Sequence, residues 1–193
     1  KVNQIEIDKD YLYISVSKDE KESYQPKSII GLDRNTTGHI AVCANLSSGK
    51  ILKLGKSAKH LRNKYRNIRK QFQSKGLLKC VKQIKDKEAR IIKDLNHKIS
   101  KRIIDECLKN KSILILEQLK GIRNNKKHSK SFNGNLNSWS FYQLETFLKY
   151  KAKLNGVIIE FINPKNTSKE CSKCGNIGTR INKIFKCKCG HVE

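Results

Sequence analysis

The chain opens on alternating apolar and polar positions. Ile5 and Ile7, then Tyr11 and Tyr13, flank an Asp8-Lys9-Asp10 turn, so residues 2–17 are predicted to form a β-hairpin. Lys18 to Lys27 is polar, contains Pro26 and reads as a linker. Ser28-Ile29-Ile30-Gly31-Leu32-Asp33 follows as a short buried strand ending on a carboxylate. After a turn over 34–38, strands at 39–45 and 50–54 complete an antiparallel meander. From Ala58 the apolar period lengthens to that of a helix, with Leu61, Tyr65, Ile68 and Phe72 on one stripe and basic residues on the other faces. A second helix carries Leu77, Val81, Ile84, Ile91, Leu95, Ile99, Ile103 and Leu108 along one side. The break at Gly76 predicts an antiparallel helical hairpin inserted between strands. Lys111 to Glu117 is again a short apolar strand that ends on a carboxylate. A polar loop over 121–137, a helix over 139–154 and a strand over 157–162 lead to a cysteine-rich tail.

Composition adds a partner to this outline. The 193 residues hold 42 Lys+Arg against 17 Asp+Glu, a formal charge of +25 that points to a polyanion, nucleic acid first. The excess is concentrated over 56–130. Lys59, Arg62, Lys64, Arg66, Arg69 and Lys70 on the first helix are the candidates for following phosphates, in sequence-independent and salt-sensitive contact. There is no apolar run of transmembrane length, no signal-peptide core and no basic face paired with a Trp/Phe/Leu face, so neither membrane nor small-molecule partners are expected. Cys43, Cys80 and Cys107 lie singly in apolar contexts, which fits buried thiols in a reducing cytoplasm. Methionine is absent even from position 1, so an N-terminal portion is expected to precede these residues.

Two constellations could carry chemistry. Cys171-x2-Cys174 and Cys187-x-Cys189-Gly190 are two close thiol pairs across a short polar loop, a ligand set for structural Zn²⁺. Four thiolates leave no open position for water, so no reaction is expected at that metal. The one-residue spacing of the second pair makes His191 an alternative ligand. The strand-end carboxylates Asp33 and Glu117 form the second constellation. On neighbouring strands they would project from one sheet edge and accept hard Mg²⁺, which could activate water for phosphodiester cleavage. Taken singly, each reads first as a turn or strand-cap residue. Trp139 and Phe141 at helical spacing read as core rather than as base-stacking residues. His39, His60, His97 and His128 show no acid–base pairing.

Ile30-Gly31-Leu32-Asp33, Asn96-His97-Lys98-Ile99-Ser100, Leu116-Glu117-Gln118-Leu119-Lys120-Gly121-Ile122-Arg123, Tyr150-Lys151-Ala152 and Asn163-Pro164 through Gly175 occur in the order found in the transposon-encoded TnpB family. The chain resembles that family from about residue 28 onward. The resemblance implies an α/β fold: a ribonuclease H-like, RuvC-type mixed sheet over 27–162, with the basic helical hairpin at 56–111 as an insertion and a zinc ribbon over 163–193. It implies an RNA-guided, Mg²⁺-dependent DNA endonuclease, long described as a transposase, with a transposon-derived guide RNA and DNA as partners. Asp33 and Glu117 would be its first two metal-binding catalytic acids, and Cys171, Cys174, Cys187 and Cys189 its zinc ligands. The family's third acid, an aspartate a few residues past the ribbon, has no counterpart up to Glu193, which lies too early to replace it. Residues 1–26 would be the hairpin remnant of an N-terminal domain plus a linker. On this reading the 193 residues cleave poorly. The alternative is a non-catalytic nucleic-acid-binding zinc protein descended from such an element.

Overall fold

The computed structural model describes residues 1–35, 38–119, 141–181 and 184–192. The N-terminal hairpin is present: β1 (Val2–Ile7) pairs antiparallel with β2 (Leu12–Val16) in a two-stranded sheet of its own. The Asp8 carboxylate accepts from the backbone N–H groups of Asp10 and Tyr11, closing the turn. All residues of both strands are exposed.

The main sheet has five strands in the order β5-β4-β3-β6-β7. β3 (Ser28–Arg34), β4 (Ala41–Asn45) and β5 (Ile51–Leu54) form the expected antiparallel meander. β6 (Ser112–Glu117) and β7 (Ile159–Ile162) then add in parallel on the other side of β3. Parallel pairing requires a long crossover, and the helices provide it.

Three helices, rather than two, lie between β5 and β6. α1 (Ser57–Ser74) ends near Gly76, α2 (Leu78–Ile84) is short, and α3 (Lys87–Asn110) starts after a turn at Lys85–Asp86. The apolar stripe of the sequence runs through this turn without a signal. The buried residues of α3 are Ile92, Asn96, Ile99, Ser100, Ile103, Ile104, Glu106 and Cys107, which include three polar residues that an apolar count passes over. α4 (Phe141–Asn155) packs beside α3. Leu144, Leu148, Ile99 and Ile103 join Ile30, Leu32, Leu114 and Leu116 in one core between the helices and one face of the sheet. α3 is therefore a layer of the core, while α1 folds back on its N-terminal end through an Arg69–Glu88 ion pair at 2.6 Å.

The seam between α3 and α4 is polar where two quoted segments meet. Asn96 Nδ2 donates to Gln143 Oε1 at 2.8 Å, and Lys151 Nζ donates to the His97 carbonyl and to Ser100 Oγ, both at 2.6 Å. His97 stacks on Phe147 with ring centroids 3.8 Å apart. Buried amide and hydroxyl groups tolerate few alternative partners, so these bonds fix the register of the two helices.

The stretch read as a linker is docked on the core. Tyr24 donates to the Ser112 carbonyl at 2.7 Å, Lys27 N–H to the Lys111 carbonyl at 2.8 Å, and Glu20 pairs with Lys153 at 2.7 Å. Gly156 (φ +70°) has no room for a side chain because the Glu22 carbonyl lies against it. Cys43 and Cys107 are buried free thiols, pushed up to about 12 chiefly by burial. No described helix is long and apolar enough to cross a membrane. The loop expected at 121–137 lies outside the described residues, as do Trp139 and the Phe141 side chain.

Candidate metal centres and nucleic-acid face

Alternation along β3 and β6 decides where the carboxylates go. On β3, Ile30, Leu32 and Arg34 are buried, which turns Gly31 and Asp33 to the opposite face. On β6, Leu114 and Leu116 are buried, and Ile115 and Glu117 share the other face. The strands are in parallel register, with Leu32 opposite Leu116. Asp33 and Glu117 occupy the next step on each strand, on the same face and on strands spaced about 4.8 Å apart. The sequence expectation required neighbouring strands, and β3 and β6 are neighbours.

Each carboxylate is held by one described side-chain donor. Asn35 Nδ2 donates to Asp33 Oδ2 at 2.9 Å, and Thr167 Oγ1 donates to Glu117 Oε1 at 2.6 Å. Asp33 Oδ1 and Glu117 Oε2 have no hydrogen-bond partner among the described residues. Two carboxylates on one face of neighbouring strands are hard oxygen donors of the kind a divalent cation such as Mg²⁺ accepts. A Cβ added at Gly31, two residues before Asp33 on the same face, would meet nothing within 4 Å, so this face of the sheet is open there.

Beneath the pair lies a residue that the sequence reading placed in a turn. Arg34 is the last residue of β3, and its side chain is 1% exposed. It donates to Glu145 Oε2 on α4 at 2.7 Å and to the Glu117 backbone carbonyl at 2.5 Å. One guanidinium thus ties the ends of both acid-bearing strands to α4. Its planar fork of donors suits it to bridge two acceptors. Burial works against ionisation of Glu145, but hydrogen bonds from Lys149 and Arg34 outweigh it and hold the carboxyl below its ordinary 4.5.

The four tail cysteines converge. β8 (Thr179–Ile181) and β9 (Ile184–Lys186) form a short hairpin between the two pairs. Their sulfurs all lie within 4.8 Å of one another, with Cys171–Cys189 at 3.6 Å and Cys174–Cys187 at 3.5 Å. Tetrahedral zinc with bonds of about 2.3 Å separates its sulfurs by about 3.8 Å, so the cluster could bind zinc. Burial opposes ionisation of Cys171, yet bonds from the Cys174 and Lys173 backbone N–H groups and from neighbouring thiols hold it down at about 7. For Cys187 the Cys189 backbone N–H favours the thiolate, but burial and the adjoining thiols prevail and push it up to about 12. Four thiols this close ionise together only around a cation. The one-residue spacing still brings Cys187 and Cys189 into the four-sulfur cluster, and His191 Nε2 lies 3.1 Å from Ser172 Oγ.

The basic candidates on α1 divide by exposure. Lys59, Lys64, Arg66 and Lys70 are exposed. Arg62 is buried, and Arg69 is half-buried and paired with Glu88. Burial lowers the Arg62 guanidinium from its ordinary value, with the Glu88 charge opposing. Helical spacing alone does not separate the two groups, because Glu88 is distant in sequence.

Comparison with known proteins bears on this arrangement. Residues 141–193 match the family described as Cas12f1-like, TNB domain. A TnpB-like protein of Methanocaldococcus jannaschii is 36% identical over 142 residues, spanning 71% of this chain and 51% of that protein. The chain is similar to the TnpB-like proteins. It spans about half the length of that relative. The CRISPR-associated endodeoxyribonuclease Cas12f1 of Sulfoacidibacillus thermotolerans is 36% identical over 118 residues, 59% of this chain and 27% of the enzyme. A cryo-EM structure of a Cas12f1–sgRNA–target DNA complex superposes with a TM-score of 0.69 at 25% identity, covering 90% of this chain and 48% of that one. The mixed α/β fold is thus shared with Cas12f.

Proposed function

We propose that this chain forms the cation-binding and nucleic-acid-gripping part of an RNA-guided, Mg²⁺-dependent DNA endonuclease. The observation that carries the reading is the β3–β6 register: Asp33 and Glu117 each follow the paired Leu32 and Leu116, on one face of neighbouring strands. Three antiparallel strands followed by two parallel ones, with helices against one face, support a ribonuclease H-like, RuvC-type core at 27–162. The four cysteines support a zinc ribbon at 163–193. Guide RNA and DNA are the proposed partners, given the +25 charge and the Cas12f1 complex with sgRNA and target DNA.

Asp33 and Glu117 would hold Mg²⁺ through carboxylate oxygens, and the bound cation would lower the pKa of water and neutralise charge on the scissile phosphate. Asn35 and Thr167 keep one oxygen of each acid occupied, while Arg34 fixes the strand ends. Two acids hold a hard cation weakly, so we expect residues 1–193 alone to bind Mn²⁺ or Mg²⁺ in the millimolar range and to cleave little. Asp33→Asn or Glu117→Gln should each weaken Mn²⁺ binding about tenfold or more, read from free Mn²⁺ by electron paramagnetic resonance. Unchanged affinity in both variants would sink this reading.

The proposed phosphate contacts are Lys59, Lys64, Arg66 and Lys70. Replacing all four with Ala should lower the slope of log affinity against log salt on duplex DNA by roughly 3 to 4, since each phosphate contact contributes about 0.9. The melting temperature should barely move, because the four are exposed. A salt slope equal to that of the unaltered chain would place the interface elsewhere.

A further inference from the structure

We infer that Thr167 is a positioning residue for Glu117, and that through it the four-cysteine cluster sets the geometry of the carboxylate pair. The inference rests on the reading of Asp33 and Glu117 as a cation site. Thr167 Oγ1 lies 2.6 Å from Glu117 Oε1 and 3.2 Å from the Pro164 carbonyl. A hydroxyl has one proton, and the shorter, charge-assisted contact takes it. Glu117 ends its strand and is only partly buried, and its side chain has three rotatable bonds to be fixed. The Thr167 hydroxyl pins one oxygen and leaves the other for the cation.

What holds Thr167 is a turn fastened at both ends. On the sheet side, Glu117 pairs with Ile162, and Gln118 N–H donates to the Ile162 carbonyl at 2.9 Å. Asn163 Oδ1 then accepts from Lys165 N–H at 2.9 Å. Asn166 adopts a left-handed conformation (φ +68°), which asparagine tolerates better than most residues. Its carbonyl accepts from the Lys169 and Glu170 N–H groups at 2.8 and 2.9 Å. Beyond it, Gly178 N–H donates to the Lys169 carbonyl at 2.7 Å, Glu170 bridges Ile177, and Cys171 N–H donates to the Asn176 carbonyl at 2.9 Å. The path from the Thr167 hydroxyl to the first cysteine therefore covers four residues of hydrogen-bonded backbone. A cation among the sulfurs closes the ribbon end of this path, and its loss frees the turn that carries the hydroxyl.

The experiment is a Mn²⁺ titration of the zinc-loaded chain by electron paramagnetic resonance, with zinc content and thermal midpoint measured on every variant. Thr167→Val should bind Mn²⁺ about tenfold more weakly, Thr167→Ser should match the unaltered chain, and both should keep full zinc and an unchanged midpoint. Stripping zinc from the unaltered chain should weaken Mn²⁺ binding to a similar degree, and stripping it from Thr167→Val should add little. The coupling is overturned if Thr167→Val binds Mn²⁺ like the unaltered chain while Glu117→Gln is weakened. If Asp33→Asn and Glu117→Gln both leave Mn²⁺ binding unchanged, the cation site itself falls and the coupling with it.

Discussion

Stripping the metal from the four cysteines is expected to unfold residues 170–192 while the five-stranded sheet stays folded. Few side chains in this tail can hold it together. Cys171 and Phe185 are its buried apolar residues, and β8 and β9 are three residues each. Ile177, Ile181, Ile184 and Val192 are exposed. A two-stranded ribbon of this kind is marginal in water on its own. Structural zinc contributes about 10–16 kcal/mol in small thiolate sites, more than enough to decide the outcome. Zinc-stripped protein should show amide resonances of 170–192 collapsed to random-coil shifts, with the β3, β6 and α3 signals retained. Cys174→Ser should do the same at zinc levels that still saturate the unaltered chain. A metal-free tail with dispersed, native-like shifts would remove zinc from the account.

The second large effect belongs to Arg34. Its side chain is 1% exposed and its partner Glu145 14%, so Arg34→Met leaves a mostly buried carboxylate with Lys149 as its remaining ion-pair partner among the described residues. Breaking one side of such a pair costs about 3–5 kcal/mol, whereas replacing both members with apolar residues of similar size is often neutral. Arg34→Met should therefore lower the melting temperature by about 10 °C for a chain of this length, and Arg34→Met combined with Glu145→Met should recover most of the loss. A pH arm checks the same pair. The Glu145 carboxyl is depressed in the folded state, so its stabilisation is fully present above its ordinary 4.5 and fades as pH falls through the lower folded value. The difference in melting temperature between the unaltered chain and Glu145→Gln should shrink as pH falls below the ordinary 4.5. A gap that is constant with pH, or an Arg34→Met midpoint within a degree of the unaltered chain, would contradict the assignment.

Much of the scaffold could be read from the residues because its signals are local. Alternation over 2–17, the run from Ser28 to Asp33 and the helical stripe from Leu61 to Phe72 each concern neighbours on one element. The cysteine spacing is similarly local, and it anticipated a cluster whose sulfurs do converge. The turn at Lys85–Asp86 was not legible, because no Pro or Gly marks it and apolar residues occur on both sides. The α3–α4 seam was hidden for another reason. Asn96, Ser100 and Lys151 are polar and sit where an apolar count expects solvent, and their partners lie 47 to 54 residues away. Arg34 likewise follows an acid at the mouth of a turn, and nothing nearby announces Glu145, 111 residues on. Thr167 belongs to a segment noticed only for its resemblance. Its contact with Glu117 depends on how β6 and β7 pair, and the sequence shows neither strand's neighbour.

The central claim is that Asp33 and Glu117 share one divalent cation on the open face of the sheet. Anomalous diffraction at the manganese edge, from crystals soaked in Mn²⁺, tests it most directly. The account predicts a peak between the two strand ends, about 2.0–2.2 Å from an oxygen of each carboxylate, that vanishes in Asp33→Asn. Peaks confined to other carboxylates, with none at this pair under saturating Mn²⁺, would contradict it.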